Sequence, residues 1–131
     1  PATTERYYVP TDSSGNTFPR EGKSLRVKSV IVSGDADTML YVALVHVDGD
    51  DWQAYQQGRI SLVEMLERST YFYRDKGYQR IACDIEFYPI NYPDILLYAV
   101  YNASSDTRRV AITLKMEEHP YYVPVTVVRR E

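Results

Sequence analysis

Few side chains in this sequence could serve as a nucleophile, a general base or a soft metal ligand. It contains two histidines, His46 and His119, and a single cysteine, Cys83. A zinc site needs several closely spaced His or Cys ligands, and a catalytic thiol needs a base beside it; neither spacing occurs here. GxSxG, HExxH and phosphate-binding glycine motifs are also missing from the sequence. We therefore expect no metal, no cofactor and no enzymatic activity.

The same residues have simpler structural explanations. His46 lies within an apolar run, which favours a hydrogen-bonded core histidine, and His119 precedes a proline in a predicted loop without a companion. Cys83 lies in an alternating apolar run, which favours a small buried hydrophobe, and a lone cysteine permits no intrachain disulfide. An enzyme would need Asp84, Glu86 or Asp50 to show raised pKa values in a shared cleft.

Two acidic turns carry the remaining candidate ligands. Asp48-Gly49-Asp50-Asp51 resembles the start of a calcium loop, but an EF-hand would need glycine and glutamate where this chain has Gln53 and Arg59. A solvated turn and helix cap is the favoured interpretation. Asp35 and Asp37 form a second acidic turn at the other end of the intervening strand. At roughly 3.3 Å per residue that strand holds the turns about 30 Å apart, so one chain cannot join them in one site.

Composition argues against two classes of partner. The chain has 15 basic and 18 acidic residues and a net charge of −3, without a basic stripe for nucleic acid or an anionic membrane. Its longest apolar run is about ten residues, whereas a membrane helix needs about 20. No signal segment opens the sequence, although a mature chain can have lost one. We expect a soluble protein, and the sequence does not indicate its cellular compartment.

The elements that must position these side chains are mostly strands. Residues 38–47, TMLYVALVHV, predict a central strand that is buried on both faces. Residues 24–33 precede it with Leu25, Val27 and Ile31 on one face, and an acidic turn is expected to join the two strands in a hairpin-like unit over residues 25–47. Residues 95–101, ILLYAVY, predict a second central strand, and residues 81–87 and 109–116 alternate as half-buried strands.

One short helical region is predicted between these strands. Asp51 is expected to cap a turn over residues 52–57 that ends at Gly58. Ser61 and Glu64 match a capping box, after which Leu62, Val63 and Leu66 are expected to face inward. Each helical piece is too short to define the fold.

These patterns predict an all-β domain, a two-layer antiparallel β-sandwich of jelly-roll or immunoglobulin-like type with about eight strands and one short helix. We expect an extended N-terminal arm and loop over residues 1–23 and the sandwich over residues 24–117. Residues 118–131 are expected to form a C-terminal edge strand or arm, because prolines at 120 and 124 cannot donate to a ladder.

The sequence YYVP occurs near both ends of the chain, in residues 7–10 and 121–124. One interpretation is chance in a chain with 13 tyrosines, together with proline-protected edge strands. The other is that both ends are arms whose tyrosines lie on a neighbouring subunit. The second interpretation predicts an interface formed by Tyr7, Tyr8, Val9, Pro10, Tyr121, Tyr122, Val123 and Pro124.

The run of about eight strands, the central TMLYVALVHV, the paired ILLYAVYN and RRVAITLKMEE strands and the YYVP ends resemble one group of proteins. These are small β-sandwich structural proteins of virus and phage particles, of the decoration (cement) or minor coat type. The resemblance implies a homo-oligomer or a capsid-bound protein, located in the virion, that stabilises a shell without chemistry. Its partners would be copies of itself or a capsid lattice protein, with no direct nucleic acid and no membrane.

An alternative function belongs to a different class. A carbohydrate- or ligand-binding module of similar fold would use exposed tyrosines and Trp52 as a stacking platform. It predicts that Trp52 is exposed in a row with tyrosines on one sheet face.

Overall fold

The computed structural model describes residues 4–76, 81–84 and 88–121, with only the backbone for residues 4 and 81–84. The described residues form eight strands and two short helices. The first half of the chain contains β1 (Thr4–Tyr8), β2 (Lys23–Gly34), β3 (Leu40–Val47), α1 (Gly49–Gln56) and α2 (Leu62–Arg68). The second half contains β4 (Thr70–Lys76), β5 (Ile81–Asp84), β6 (Pro89–Asn91), β7 (Ile95–Asn102) and β8 (Val110–Pro120). The all-β prediction is confirmed, whereas the single short helix that was predicted is two helices.

The strands form two antiparallel sheets. The first has four strands in the order β1-β7-β3-β4, so β3 and β7 are its central strands, as their apolar runs predict. In the second sheet β2 is central; β8 pairs along one edge of it, and β5 and β6 pair along the other. The predicted hairpin of β2 with β3 and the predicted pairing of β7 with β8 are therefore wrong, because the members of each pair lie in different sheets. No helix of the described residues is long and apolar enough to cross a membrane.

Both sheets contribute to one hydrophobic core. Side chains of β2, including Leu25 and Val30, pack with side chains of β3, including Val42 and Leu44, and all of these are essentially inaccessible to water. Apolar side chains of β8 are partly buried against the same cluster. The sheets therefore stack as the two layers of an antiparallel sandwich, because each has one apolar face that must leave water.

The prediction of which β2 side chains face the core is wrong in the second half of the strand. The pairing of β2 with β8 shifts register between Val27 and Ser29, which is a β-bulge. An extra residue on one strand reverses its alternation from that point onward. Val30 and Val32 therefore enter the core, while Ile31, predicted to face inward, is half-buried.

The first helix starts earlier than predicted. Asp48 is its N-cap: the Asp48 carboxylate accepts a hydrogen bond from the backbone N–H of Asp50 at 2.9 Å. Asp51, the predicted cap, lies inside the first turn, where its charge suits the positive end of the helix dipole.

The second helix has the predicted capping box but a different inner face. Ser61 Oγ accepts from the Glu64 amide at 3.1 Å, and Glu64 Oε1 accepts from the Ser61 amide at 3.2 Å. Met65 is fully buried, whereas Val63, predicted to face inward, is exposed. The prediction for Val63 is wrong because the face that meets the sheet passes through Leu62, Met65 and Leu66.

The described parts of both ends lie along the sandwich. β1 is extended, as predicted, and pairs with β7 of the same chain. The following loop is held by Arg20, whose guanidinium contacts Glu118 of β8 at 2.6 Å, and the Tyr121 amide donates to the Gly22 carbonyl at 2.9 Å. β8 itself continues to Pro120. The domain boundaries at residues 23 and 118 stay predictions.

Candidate interaction surface

The outer face of the first sheet, on the side away from the shared core, is built from alternate residues of its two central strands. Because β3 and β7 are antiparallel and in register, these residues form cross-strand pairs in four successive rows. The rows are Tyr41 with Tyr101, Ala43 with Ala99, Val45 with Leu97, and Val47 with Ile95.

The two aliphatic rows form the helix-covered half of this face, defined by Val45, Val47, Ile95 and Leu97. They make a second hydrophobic cluster with Met65 of α2, and apolar side chains of both helices pack around it. Trp52 of α1 belongs to this cluster and is half-buried, with its ring 5.7 Å from that of Tyr55. The prediction of Trp52 in an exposed row of tyrosines is therefore wrong.

The other two rows carry no helix. Here Tyr41 and Tyr101, with ring centroids 5.9 Å apart, flank the Ala43–Ala99 pair. The uncovered surface is a shallow cleft of about 700 Å³. Tyr71 of β4 lies at its other side, and with Tyr7 of β1 it completes a set that we name the tyrosine face: Tyr7, Tyr41, Tyr71 and Tyr101 around Ala43 and Ala99.

Tyr7 anchors one end of the tyrosine face. Burial, followed by a hydrogen bond with Glu5, raises the pKa of the Tyr7 hydroxyl far above its ordinary value of 10.0, and a hydrogen bond with Tyr71 adds to this. The Tyr7 hydroxyl thus stays protonated and donates, because a phenolate beside the Glu5 carboxylate would be repelled. Tyr71 and Tyr101 remain 38% and 37% exposed.

Charges lie at opposite edges of the tyrosine face. In the outermost row, Glu5 of β1 pairs in register with Tyr101, Tyr101 with Tyr41, and Tyr41 with Lys76 of β4. In the next row Arg74 of β4 pairs with Ala43, and its guanidinium lies 5.5 Å from the centre of the Tyr71 ring. The face is therefore acidic at its β1 edge and basic at its β4 edge.

His46 lies at the end of β3 and has both ring nitrogens engaged. His46 Nε2 is 2.8 Å from Asp94 Oδ2, and His46 Nδ1 is 3.3 Å from the Tyr88 hydroxyl. Asp94 Oδ1 also accepts the Gly49 amide at 2.8 Å, and a Cβ at Gly49 would lie 2.7 Å from Pro93 Cγ. The cluster thus ties β3 to the start of α1, and the interpretation of His46 as a hydrogen-bonded histidine is confirmed.

A second cleft, of about 860 Å³, opens between β1, β7 and the start of β8. Tyr8 and Tyr98 stack in it with ring centroids 5.1 Å apart and planes inclined by 24°. Arg6 and Arg109 also line it, and neither guanidinium forms an ion pair within the described part of the chain. The cleft combines an aromatic wall with positive charge.

The predicted interface residues are divided among several places. Tyr7 belongs to the tyrosine face, whereas Tyr8 lines the second cleft, because neighbours in a strand face opposite ways. Val9 packs against the helix-covered cluster, and Pro10 and Tyr121 are half-buried. Tyr122, Val123 and Pro124 lie outside the described residues, as do Glu86 and the side chains of Cys83 and Asp84. The role of this set at an interface stays a prediction.

Sequence reasoning missed the three tyrosines that dominate the tyrosine face: Tyr41, Tyr71 and Tyr101. A signal for two of them is present. Residues 41–43 read Tyr-Val-Ala and residues 99–101 read Ala-Val-Tyr. One word read in opposite directions in two antiparallel strands places Tyr against Tyr and Ala against Ala on one face.

Among the described side chains, those of residues 5–76 and 88–121, no group of three or more His, Cys, Asp or Glu could hold a metal ion. Comparisons with known proteins found no match: no family model fits the chain, and no curated protein or solved structure is significantly similar to it.

Proposed function

We propose that this protein is a non-enzymatic structural protein that associates with copies of itself or with a lattice, as a decoration, cement or minor coat component of a virus or phage particle. The tyrosine face is the observation that carries self-association. The viral setting follows from the resemblance of the strand pattern and the YYVP ends to such proteins.

The tyrosine face suits a protein interface because of its residue type. Tyrosine offers a large, rigid apolar ring at low entropic cost and a hydroxyl that tolerates water, so it is enriched where surfaces meet. Contiguous aromatic surface is unusual on a monomer unless it is used. Here several tyrosine rings surround two alanines on one face of the sheet.

The sheet edges support the same function. Among the described residues, β1 and β8 have no strand beyond their outer edges, and β8 is 11 residues long. Unpaired edge strands can add strands from another copy. Tyr8, in the predicted interface set, lies on β1 at one of these edges.

The test is the native mass of the full chain, measured by light scattering across a concentration series. We expect a discrete oligomer or larger particles, and a shift towards monomer when Tyr101→Ser removes one ring of the tyrosine face. Tyr92→Ser is the matched control, because Tyr92 is 44% exposed against 37% for Tyr101 and lies outside the tyrosine face. A wild-type monomer at every concentration, which also fails to bind a preassembled capsid, would overturn the proposal.

A second candidate function, carbohydrate binding, is favoured by the same rings. Sugar rings stack on tyrosine, and Glu5, Arg74 and Lys76 supply polar groups around the face. Titration with soluble cellohexaose and chitohexaose, followed by tyrosine fluorescence and calorimetry, tests this function. Saturable binding that Tyr101→Ser abolishes supports it, and no heat or quenching with either oligosaccharide counts against it.

For the fold, we further propose an immunoglobulin-like connection pattern. The order β7-β3-β4 opposite β2 with β5 and β6 matches the F-C-C′ strands opposite B and E in that fold. Two strands depart from the match: the first pairs with β7 and the last with β2, each in the sheet opposite to that of an immunoglobulin domain. Amide NMR contacts of β3 with both β7 and β4 test the proposal, and contacts of β3 with β2 in one sheet instead would contradict it.

A further inference from the structure

We propose that two copies of this chain pair face to face through the tyrosine face, around a twofold axis that runs parallel to β3 and β7. The axis lies in the plane of contact between the two copies, above the midline between these strands. The inference rests on the proposed self-association and assigns it a surface, a partner and a symmetry. A twofold contact uses the same patch on both copies, so the patch must complement itself.

The strand order determines what such an axis brings together. Rotation by 180° about this axis reverses the order β1-β7-β3-β4, so that β1 of one copy faces β4 of the other. In the outermost row this places Glu5 opposite the second copy's residue 76, a lysine, and Tyr101 opposite its residue 41, a tyrosine. The contact thus has aromatic rings at its centre and a pair of opposite charges at each end.

Charge selects this axis over the perpendicular one. A twofold axis across the strands would place each strand over its own copy, so Arg74 and Lys76 of both chains would meet at one edge, and the two Glu5 side chains at the other. Like charges in contact disfavour that arrangement, whereas the axis along the strands pairs every acidic edge with a basic edge. Asp75, between the two cations in sequence, pairs in register with Val42 of the inner face and also lines the cleft, so the β4 edge keeps a net positive charge from Arg74 and Lys76.

The packing is compatible with two facing sheets. Stacked sheets lie about 10 Å apart with their strands within about 30° of each other. Ala43 and Ala99 are nearly inaccessible and have small side chains, so they do not project above the surrounding rings. The second copy would therefore contact the tyrosine rings. Four strands at about 4.8 Å spacing give a patch roughly 19 Å wide, which is at the small end for a specific interface. We therefore expect a dimer that dissociates on dilution.

The experiment exchanges the charges at the two edges and measures dimer dissociation by sedimentation equilibrium of the full chain. Glu5→Lys gives copies with lysine at both edges, and Lys76→Glu gives copies with glutamate at both edges. Each variant alone should dimerise about tenfold more weakly than the wild type, because both end pairs of its homodimer become like-charged. An equimolar mixture of the two variants should restore dimerisation, since every end pair is again opposite in charge.

Controls separate this inference from the proposed function. Lys115→Glu changes an exposed charge on β8 by the same amount and should leave dimerisation unchanged. If Glu5→Lys perturbs folding because Glu5 bonds Tyr7, Lys76→Glu is measured alone and mixed with the wild type. Its homodimer has two like-charged end pairs and the mixed dimer has one, so dimerisation should weaken most in the variant alone and by an intermediate amount in the mixture. An oligomer that neither charge variant weakens overturns the inference alone. Weakened single variants without rescue in the mixture overturn the axis, and a wild type that never associates overturns self-association itself.

Discussion

The outer face of the first sheet has two halves that share the same two strands and differ in what covers them. In the helix-covered half, Val45 and Leu97 lie beneath α1 and α2 and are inaccessible or nearly so. In the tyrosine face, Tyr41 and Tyr101 occupy the same face of the same strands with no helix above them. The backbone is common to both halves, so the side chains decide which half the chain covers with its own helices.

The difference shows two ways of treating an apolar sheet face. Val, Ile and Leu are stabilised only by leaving water. The two helices, which lie between β3 and β4 in the sequence, accordingly pack over them. Tyrosine keeps its hydroxyl in water while its ring remains available for another surface. We infer that the helix-covered half serves folding and that the tyrosine face serves association, and the predictions below test this division.

The largest effect is expected where α2 seals the helix-covered half. Met65→Ala should lower the free energy of unfolding by about 2–5 kcal/mol, because a fully buried side chain leaves a cavity between helix and sheet. Urea denaturation measures the loss. Val63→Ala on the same helix is the control and should change stability by less than about 0.5 kcal/mol, because Val63 is exposed. Equal losses at the two positions would show that α2 does not act as a cover.

A smaller effect is expected at the start of the same helix. Ser61→Ala removes the acceptor for the Glu64 amide and should cost about 1 kcal/mol in the same denaturation experiment. Ser61→Asp keeps an acceptor at this position and should stay within a few tenths of a kcal/mol of the wild type. A loss as large for aspartate as for alanine would contradict the capping geometry.

More of the fold than of the tyrosine face could be predicted from the sequence, and particular residues show why. Nearly continuous apolar runs identify β3 and β7 as central strands, and the Ser61–Glu64 spacing identifies a helix start, because both signals are local. The bulge after Val27 could not be predicted, since it depends on how β2 pairs with the distant strand β8. Ile31 was therefore assigned to the wrong face.

The tyrosine face was missed for a related reason. An apolar run was interpreted as buried on both faces, which is correct for Val45 and incorrect for the row of Tyr41. Whether a face is covered depends on where helices from elsewhere in the chain pack, and their short sequences do not specify this. The tripeptide at residues 41–43 recurs in reverse order at residues 99–101. If the two strands are assumed to pair, this pattern predicts the Tyr–Tyr and Ala–Ala cross-strand pairs.

Within the tyrosine face itself, truncation should affect stability less than it affects association. Tyr101→Ala removes a cross-strand contact with Tyr41 and should lower the free energy of unfolding by about 0.2–1 kcal/mol. Leu97→Ala, on the same strand and face but beneath the helices, should cost about 2–5 kcal/mol. Denaturation measures both under conditions that keep the chain monomeric. A loss for Tyr101→Ala that matches Leu97→Ala would mean that the tyrosine face is part of the folding core.

The smallest effect should appear only at alkaline pH. The pKa of Tyr7 is raised in the folded state above the unfolded value of about 10, mainly by burial and then by Glu5, so folding favours the protonated hydroxyl. This contribution is complete below pH 10 and is lost as the pH rises from there towards the folded pKa. Tyr7→Phe cannot ionise, so its urea midpoint should fall less steeply than that of the wild type between about pH 9.5 and 11.5. Tyr92→Phe removes a hydroxyl outside the tyrosine face and should keep the wild-type slope; parallel slopes for all three proteins would show that the Tyr7 hydroxyl is not held by Glu5 and Tyr71.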